Sequence, residues 1–320
     1  MQLSDLIGKL NVAKVVGNDC IEITSVEADS RRVAEGSLFV AVRGVSVDGH
    51  TFIAKAEAQG ASAVVCEELP DELSPRVTYV VTPESREALG LLASAWYGEP
   101  SRQLTLVGVT GTNGKTTIAT LLYEMFRFFG EKVGLLSTVC NYVDDRAVPT
   151  DHTTPDPLTL HRLLREMVDA GCRYAFMEVS SHSVDQRRIA GLEFAGGIFT
   201  NLTRDHLDYH KTVQAYLKAK KRFFDDLPED AFALTNADEK NGTVMLQNTC
   251  AEKHTYALNT LADYKGRIIE SRLDRKSMGF GAELKSKNDV DESKILREVQ
   301  PHDILKFGII PELVGRLPVI

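Results

Sequence analysis

Strand-like and helix-like segments alternate through the middle of the chain. Short apolar runs predict strands, and longer segments with apolar residues at helical spacing predict helices. The predicted strands are 104–110, 133–139, 174–180, 196–200, 231–236 and 254–258, and the predicted helices are 116–129, 157–170, 211–226 and 239–247. Alternation of this kind is typical of βαβ units, so we predict a parallel sheet with helices on both faces.

The flanking segments differ from this central region. Residues 37–42 and 62–66 are strand-like and 50–60 are helix-like, which predicts a small N-terminal α/β domain. Trp96 to Pro100 carries the Gly and Pro typical of a boundary. Beyond about 267 the chain is polar and charged without a clear period, and it then becomes apolar. We therefore predict three segments, which are an α/β domain at 1–98, a P-loop-type parallel-sheet domain at 99–267 and an irregular tail at 268–320.

Composition narrows the function classes. A hydrophobic content of 43% and a charged content of 26% are typical of a globular protein with a sizeable core. The net charge of −8 argues against a non-specific nucleic-acid binder. We see no signal peptide and no apolar run long enough to span a bilayer, and the five cysteines are scattered. A cytoplasmic protein without membrane insertion is therefore expected.

Residues 105–117, TLVGVTGTNGKTT, predict a phosphate-binding loop between a strand and a helix. Glycines let backbone N–H groups close on oxyanions, and the helix start adds its positive dipole end. The lysine can reach terminal phosphates and the next hydroxyl suits Mg²⁺. The predicted ATP-binding residues are Gly111, Thr112, Asn113, Gly114, Lys115, Thr116 and Thr117. Val109 stands where the usual motif has its first glycine, so a turn that merely uses glycine is the alternative.

The helix after this loop has a predicted apolar face. Its members share 3.6-residue spacing and are Ile118, Leu121, Leu122, Met125 and Phe129.

Polar residues cluster just after two further predicted strands. Glu178 can hold the Mg²⁺ of a nucleotide, or it can be a solvated loop acid. Ser180, Gln186 and Arg188 suit a polar, anionic substrate, although each alone can be an ordinary loop residue. His206 can bind a divalent cation or relay a proton, and the alternative is a structural histidine.

A basic run on one predicted helix contains a lysine that differs from its neighbours. Helical spacing places Lys220 on one side with Tyr216, Phe223 and Phe224, and it places Lys218 elsewhere. Partial burial would lower the pKa of Lys220 and make a neutral amine available. A solvated helix face is the alternative interpretation.

Two threonines precede a proline at another predicted helix start. Thr153 and Thr154 can bind a ligand there, whereas N-capping by Thr154 or Asp156 is the alternative.

Together these motifs resemble the Mur ligase family. The segments GTNGKTT, TTPDP, EVSSHSVDQRR, NLTRDHLDYH and YLKAKKRFF occur in the order found in that family, and residues 29–44 and 48–56 resemble its uridine-nucleotide-binding domain. The resemblance covers about residues 1–267. It implies an ATP-dependent ligase of peptidoglycan precursor synthesis, which converts a carboxylate of UDP-MurNAc-dipeptide into an acyl phosphate. The amine of a diamino acid then displaces phosphate, with meso-diaminopimelate favoured over L-lysine.

The resemblance also implies roles for individual residues. Lys115, Lys220 and His206 would be catalytic, and Thr116, Glu178, His206 and a carbamylated Lys220 would hold Mg²⁺. The expected contacts to the UDP-MurNAc-dipeptide are Thr153, Thr154, Ser180, Gln186 and Arg188, with Ser30 at its uridine diphosphate end.

The tail departs from the family, whose members have a third domain. Residues 268–320 resemble instead the ATPase subunit of the Clp protease, with 278–280 as its docking loop and Arg316 as its arginine finger. We therefore expect a chimera joined between 266 and 273, inactive alone, and a divergent ligase tail is the alternative. A non-catalytic binding module and a Clp-protease adaptor are the alternative functions. Docking of the protease is not expected, because docking loops act as a ring of copies.

Overall fold

The computed structural model describes residues 1–44, 47–150, 153–203, 205 and 207–265. The described residues form two compact units, one from residues 1–235 with 241–253 and one from residues 236–240 with 254–265. The predicted tail at 268–320, with its docking loop and arginine finger, lies outside the described residues.

Nine helices and fourteen strands occur in the described part of the chain. The helices are α1 Leu3–Ile7, α2 Ile53–Ala58, α3 Ser85–Trp96, α4 Lys115–Phe128, α5 Pro157–Asp169, α6 Ser181–Asp185, α7 Leu207–His210, α8 Val213–Asp225 and α9 Gly242–Met245. Short 3-10 helices occupy Gly49–Phe52 and Pro100–Gln103. No helix within these described residues is both long and apolar enough to cross a bilayer.

The fourteen strands, in chain order, are β1 Lys14–Val16, β2 Ser25–Glu27, β3 Ser37–Val40, β4 Ala63–Cys66, β5 Thr78–Val81, β6 Thr105–Thr110, β7 Val133–Leu136, β8 Asn141–Val143, β9 Arg146–Val148, β10 Tyr174–Glu178, β11 Gly196–Phe199, β12 Phe232–Asn236, β13 Glu252–Ala257 and β14 Tyr264–Lys265. Strands β1 to β12 form two sheets in the first unit, and β13 and β14 follow them along the chain. In the second unit β13 and β14 pair in parallel.

The N-terminal sheet has the order β1-β5-β4-β3-β2. It is parallel except for the edge strand β1, which pairs antiparallel with β5. Successive side chains of a strand point to opposite faces, and both faces are covered here. Leu38 packs with Leu92 of α3, whereas Phe39 packs with Ile53 of α2. The strands and helices predicted for this segment are therefore present and form a sheet of their own, whereas the boundary at residue 98 stays a prediction.

The central sheet of the first unit has the order β12-β11-β6-β10-β7-β8-β9. Its five strands from β12 to β7 are parallel, as predicted, and β8 and β9 add an antiparallel hairpin at the edge that the sequence pattern did not predict. The register pairs Glu178 with Val109 and Phe199 with Thr110. Since β6 lies between β10 and β11, the segments after these three strands meet at one edge, where parallel sheets bind ligands.

Helix α4 covers one face of this sheet with a different set of residues from the predicted one. Ala119 and Tyr123 are buried against the sheet, whereas Leu121 and Phe129 are 62% and 48% exposed. The predicted apolar face is therefore right only in part, because Ile118 and Leu122 pack against the sheet whereas Leu121 and Phe129 do not. Its aliphatic spacing left out a small alanine, which lets the helix approach, and the Tyr123 ring, which fills the space beside it. On the other face, α5 and α8 supply a larger cluster that includes Leu164 of α5.

Candidate nucleotide and metal site

The loop between β6 and α4 requires glycine at two positions. Gly111 has φ 153°, and a Cβ there would lie 1.9 Å from the Thr200 hydroxyl oxygen. Gly114 has φ 85° and is the residue that precedes α4. The first turn of a helix leaves N–H groups without intrahelical acceptors, and these can bind an anion. The local structure is therefore a strand, a glycine-containing turn and a helix in the predicted order, and this backbone arrangement can bind an anion.

Residues that follow β11 brace this loop. The Asn201 side chain accepts a hydrogen bond from Asn113 N at 2.9 Å and donates one to Asn113 O at 3.1 Å. The Thr200 hydroxyl donates to the same carbonyl at 2.7 Å, and Thr112 N donates to Asn201 O at 2.8 Å. Sequence reasoning missed Thr200 and Asn201, although their position at the end of the predicted strand 196–200 and directly after it was a usable signal.

Two lysine side chains converge on one carbonyl oxygen of the loop. Lys115 Nζ donates to Gly111 O and Thr112 O at 2.9 Å each, and Lys220 Nζ donates to Gly111 O at 2.8 Å. Lys220 is only 1% exposed, and its ammonium lies 4.7 Å from the centre of the Tyr216 ring. Lys218 is exposed on the same helix. The structure therefore places Lys220 on the inner face of α8, as helical spacing predicted.

Burial and mutual repulsion change the acid–base chemistry of this pair. Burial, followed by the nearby Lys115 ammonium, lowers the pKa of Lys220 to about 7, against an opposing effect of the Asp205 carboxylate. Burial also lowers the pKa of Lys115, opposed by the carboxylates of Glu178 and Asp205. A substantial fraction of Lys220 is therefore a neutral amine near neutral pH.

Glu178 ends β10 as a buried carboxylate, only 1% exposed. Its Oε1 accepts a hydrogen bond from Thr138 N at 2.7 Å, and its Oε2 accepts one from the Thr138 hydroxyl at 3.2 Å. A buried carboxylate needs such partners, so the solvated loop acid is not what the structure has. Thr138, which sequence reasoning also missed, lies two residues after the end of β7.

The donor set fits a hard cation. Carboxylate and hydroxyl oxygens, as in Glu178 and in Thr116 of the first turn of α4, are what Mg²⁺ prefers. His206 lies outside the described residues. Within the described ones, no three His, Cys, Asp or Glu side chains form a group that could hold a metal by themselves.

The predicted substrate residues form a hydrogen-bonded group beside Glu178. The Thr154 hydroxyl donates to Glu178 O at 3.0 Å, and Arg188 donates to Thr154 O at 3.0 Å. Arg188 also makes two bonds to Gln186 Oε1, at 3.0 and 2.7 Å. The capping alternative is confirmed for Asp156, whose side chain caps α5, and not for Thr154.

The remaining predicted substrate residues lie in three places. Thr153 Oγ1 is 3.1 Å from the Thr138 hydroxyl oxygen, and Ser180 caps α6. Ser30 is buried in the turn after β2 and is outside this hydrogen-bonded group. The structure thus places Thr154 against the backbone carbonyl of Glu178 and Thr153 against Thr138, and it leaves Ser30 beside the N-terminal sheet.

A cavity of about 690 Å³ lies elsewhere in the first unit. Gly191, Phe194 and Phe223 are among its lining residues, and none of the predicted site residues lines it. Converging polar groups, and not cavity size, therefore identify the candidate site.

Comparisons with known proteins agree with this geometry. The chain matches the Mur ligase middle domain over residues 109–295 and the domain described as "Mur ligase family, catalytic domain" over residues 22–97. The first match runs past the predicted join at 266–273, so it lends no support to a join there.

Curated relatives are named UDP-N-acetylmuramoyl-L-alanyl-D-glutamate--2,6-diaminopimelate ligase. The one from Parabacteroides distasonis is 69% identical over 274 residues, which are 86% of this chain and 56% of that protein. The one from Bacteroides fragilis is 60% identical over 280 residues, which are 88% of this chain and 58% of that protein. The chain therefore spans about half the length of these relatives.

Solved structures have the same fold. The structure of a ligase with the same name superposes with a TM-score of 0.69 at 28% identity, covering 83% of this chain and 54% of that one. MurF from Acinetobacter baumannii gives a TM-score of 0.54 at 18% identity over 80% of this chain and 53% of its own, a likeness of fold alone. With the phosphate-binding loop, its paired lysines and the matched domain in agreement, this chain belongs to the Mur ligase family.

Proposed function

We propose that the chain binds ATP, Mg²⁺ and UDP-MurNAc-L-Ala-D-Glu for the ATP-dependent ligation of meso-diaminopimelate. The observation that carries this proposal is the convergence of Lys115 and Lys220 on Gly111 O, on a loop that closes around anions. The names of the curated relatives supply the substrates. ATP would lie on the loop formed by residues 111–117.

Lys115 is the residue that would meet the terminal phosphates. Its ammonium now bonds two loop carbonyls, and these bonds must break when it turns toward a phosphoryl oxygen. That exchange replaces neutral acceptors with charged ones, and hydrogen bonds between charged partners are the stronger kind. Lys115 would then hold the transferring phosphoryl group in line with the attacking carboxylate.

The metal would be held by Thr116, Glu178 and His206, with the carbamate of Lys220 as a further ligand. Mg²⁺ at this place supplies positive charge against the phosphoryl oxygens. The carbamate forms when the neutral amine of Lys220 attacks CO₂, which creates an N–C bond and releases one proton. A pKa of about 7 supports this step, because the amine needs no strong base to become neutral.

The peptide substrate would lie beside Glu178. Thr153, Thr154, Ser180, Gln186 and Arg188 would contact the UDP-MurNAc-dipeptide, with Ser30 at its diphosphate end. Arg188 is already fixed by three hydrogen bonds to Thr154 and Gln186, so its orientation is set before the substrate arrives. The substrate carboxylate attacks the γ-phosphorus of ATP and ADP leaves. The amine of the diamino acid then displaces phosphate from the acyl phosphate and forms the amide.

Calorimetric titration of the chain tests the two binding functions. Mg²⁺–ATP and UDP-MurNAc-L-Ala-D-Glu should both bind, and Lys115→Ala should abolish the first without changing the melting temperature by much. Lys218→Ala, which alters an exposed lysine, is the matched control and should bind as the wild type does. Failure of the wild type to bind either ligand would overturn the proposal.

An assay of ADP release tests whether this chain turns over by itself. It is run with UDP-MurNAc-L-Ala-D-Glu and either meso-diaminopimelate or L-lysine. ADP release with meso-diaminopimelate would make the chain an active ligase and would contradict the expectation that it is inactive alone. Binding of both substrates without ADP release agrees with that expectation and leaves a binding module as the function of the chain alone.

Carbamylation of Lys220 has its own test. Incubation with ¹³C-bicarbonate should give a carbamate carbon signal by NMR that Lys220→Ala lacks. The same signal in Lys220→Ala would move the modification to another amine.

The Clp-type character of residues 268–320 stays a prediction. The family match to residue 295 weighs against a join between 266 and 273. Sequencing the gene across this region decides between a chimera and a continuous ligase sequence.

A further inference from the structure

The turn that follows β7 presents one residue to the metal-site carboxylate. Ser137 N donates to the Asn141 side chain at 3.1 Å, and the Ser137 hydroxyl donates to Cys140 O at 2.8 Å. Ser137 and Asn141 are both buried, so the two ends of the turn are fixed. Thr138 lies between them and is exposed. Its position is therefore set by the turn, and its side chain faces the site without being part of the core.

Thr138 contacts both oxygens of the Glu178 carboxylate. The backbone N–H holds Oε1 at 2.7 Å and the hydroxyl holds Oε2 at 3.2 Å. Two bonds from one residue to two oxygens fix the plane of the carboxylate as well as its place. Residues that orient a metal ligand in this way tune metal affinity.

The same hydroxyl has a second acceptor within reach. Thr153 Oγ1 lies 3.1 Å from Thr138 Oγ1. A hydroxyl carries a single proton, so it can donate fully to only one of the two acceptors at a time. While Glu178 carries an unshared negative charge it is the stronger acceptor, because hydrogen bonds to ions are the stronger kind. A divalent cation on Glu178 would withdraw that charge and favour donation to Thr153.

We propose that Thr138 is a positioning residue for Glu178 and that its hydroxyl proton couples the metal site to the substrate contact at Thr153. The inference rests on the proposed function, since it takes Glu178 as a Mg²⁺ ligand and Thr153 as a substrate contact. With the cation bound, Thr153 accepts from Thr138 and turns its own proton to the peptide substrate. Mg²⁺ and UDP-MurNAc-L-Ala-D-Glu therefore strengthen each other's binding, and by linkage the effect is equal in both directions.

Two variants test the positioning role. Thr138→Val keeps the shape and the backbone N–H but lacks the hydroxyl, and Thr138→Ser keeps the hydroxyl. Titration of Mg²⁺ into the chain with a non-hydrolysable ATP analogue should show affinity about tenfold weaker in Thr138→Val, and Thr138→Ser should restore it to near the wild-type value. Because Thr138 is exposed, both variants should fold, and equal melting temperatures check this.

The coupling needs a second readout. The affinity for UDP-MurNAc-L-Ala-D-Glu is measured with and without Mg²⁺ in each variant. Mg²⁺ should strengthen it in the wild type and in Thr138→Ser, and should leave it unchanged in Thr138→Val. A merely structural residue would weaken binding equally in both conditions.

The outcomes separate this proposal from the function on which it rests. A wild-type chain that binds no Mg²⁺ with the ATP analogue contradicts the proposed function. A wild-type chain that binds it, together with unchanged Mg²⁺ affinity in Thr138→Val, overturns the positioning role. Persistence of the Mg²⁺ effect on substrate binding in Thr138→Val overturns the coupling.

Discussion

Replacing Lys220 by methionine should stabilise the fold near neutral pH. Lys220 is almost fully buried, and burial together with the Lys115 charge lowers its pKa from 10.5 to about 7. Methionine has a similar length and no charge, so Lys220→Met removes a buried ionisable group without opening a large cavity. Gly111 O keeps a donor in this variant, because Lys115 also bonds it.

The magnitude follows from the difference in proton affinity between the folded and unfolded chains. At about 1.4 kcal/mol per pKa unit, burying Lys220 costs the folded wild type about 4 kcal/mol at pH 7. The variant loses one hydrogen bond and one cation–π contact, each of about 1 kcal/mol. Lys220→Met should therefore be more stable by roughly 2 kcal/mol at pH 7.

The sign of the pH dependence is fixed by the direction of the shift. The pKa is lower in the folded chain, so the unfolded chain binds more protons between about pH 7 and pH 10.5, and wild-type stability rises with pH across this window. Below about pH 7 the folded chain bears the full free-energy cost of burying the protonated Lys220 side chain. The advantage of Lys220→Met should therefore shrink above pH 7, vanish near about pH 9 and reverse above it, where the remaining cost of burying the lysine is smaller than the contacts the variant loses.

Denaturant unfolding in CO₂-free buffer at several pH values between about 6 and 10 measures this difference. Removal of CO₂ keeps the wild-type amine unmodified. Lys218→Met, on the exposed side of the same helix, is the control and should show no pH-dependent difference from the wild type. A stability difference for Lys220→Met that does not change with pH, or a variant less stable at pH 7, would refute the reasoning.

Three further predictions concern the loop and the core. Gly111→Ala should destabilise the fold by more than about 2 kcal/mol and abolish ATP binding, because its Cβ would meet the Thr200 hydroxyl at 1.9 Å. Gly114→Ala has open space around it and should lose only about 1 kcal/mol of stability to backbone strain. Equal denaturation midpoints for the two would contradict this. Asn201→Ala should weaken ATP binding about tenfold by calorimetry with an unchanged circular dichroism spectrum, through loss of the loop brace, and wild-type affinity would exclude that role. Burial lowers the pKa of His161 to about 4, so below about pH 6.5 the unfolded chain binds a proton that the folded chain does not. The wild type therefore loses about 3 kcal/mol of stability between about pH 6.5 and pH 4, and His161→Leu should remove this loss in acid unfolding. An unchanged acid midpoint would show that His161 does not control it.

The repetitive features of the central domain could be predicted from the sequence because they depend on local periodicity. Parallel strands buried on both faces are short apolar runs, and the helices between them have apolar residues at helical spacing. The same spacing identified Lys220 as the inward lysine of a basic run, since Tyr216 and Phe223 fix which side of α8 faces the core.

The parts that were missed depend on contacts distant in sequence. Thr138 bonds Glu178 across 40 residues, and Asn201 bonds Asn113 across 88. Neither residue type is unusual in a loop. Asn201 directly follows the predicted strand 196–200, but Thr138 falls inside the predicted strand 133–139, which in the structure ends at Leu136. The inward face of α4 was predicted only in part for a related reason, because Ala119 and Tyr123 pack against the sheet beside Ile118 and Leu122, in place of Leu121 and Phe129. The sheet against which a helix packs, and not the sequence of the helix alone, decides which of its residues face inward.

The shared carbonyl of Gly111 implies an order of events at the site. Lys115 lies at the start of α4 and must leave Gly111 O to reach a phosphate, whereas Lys220 is held in place by α8 and the Tyr216 ring. Departure of Lys115 toward ATP removes one cause of the low pKa of Lys220, and the added phosphate charge raises that pKa further. A protonated amine does not attack CO₂, so the proposed carbamate should form before ATP binds. Uptake of ¹³C-bicarbonate at Lys220, followed by NMR, should be slower when ATP is added first than when it is added last. An equal or faster rate would show that the nucleotide does not control the protonation of this lysine.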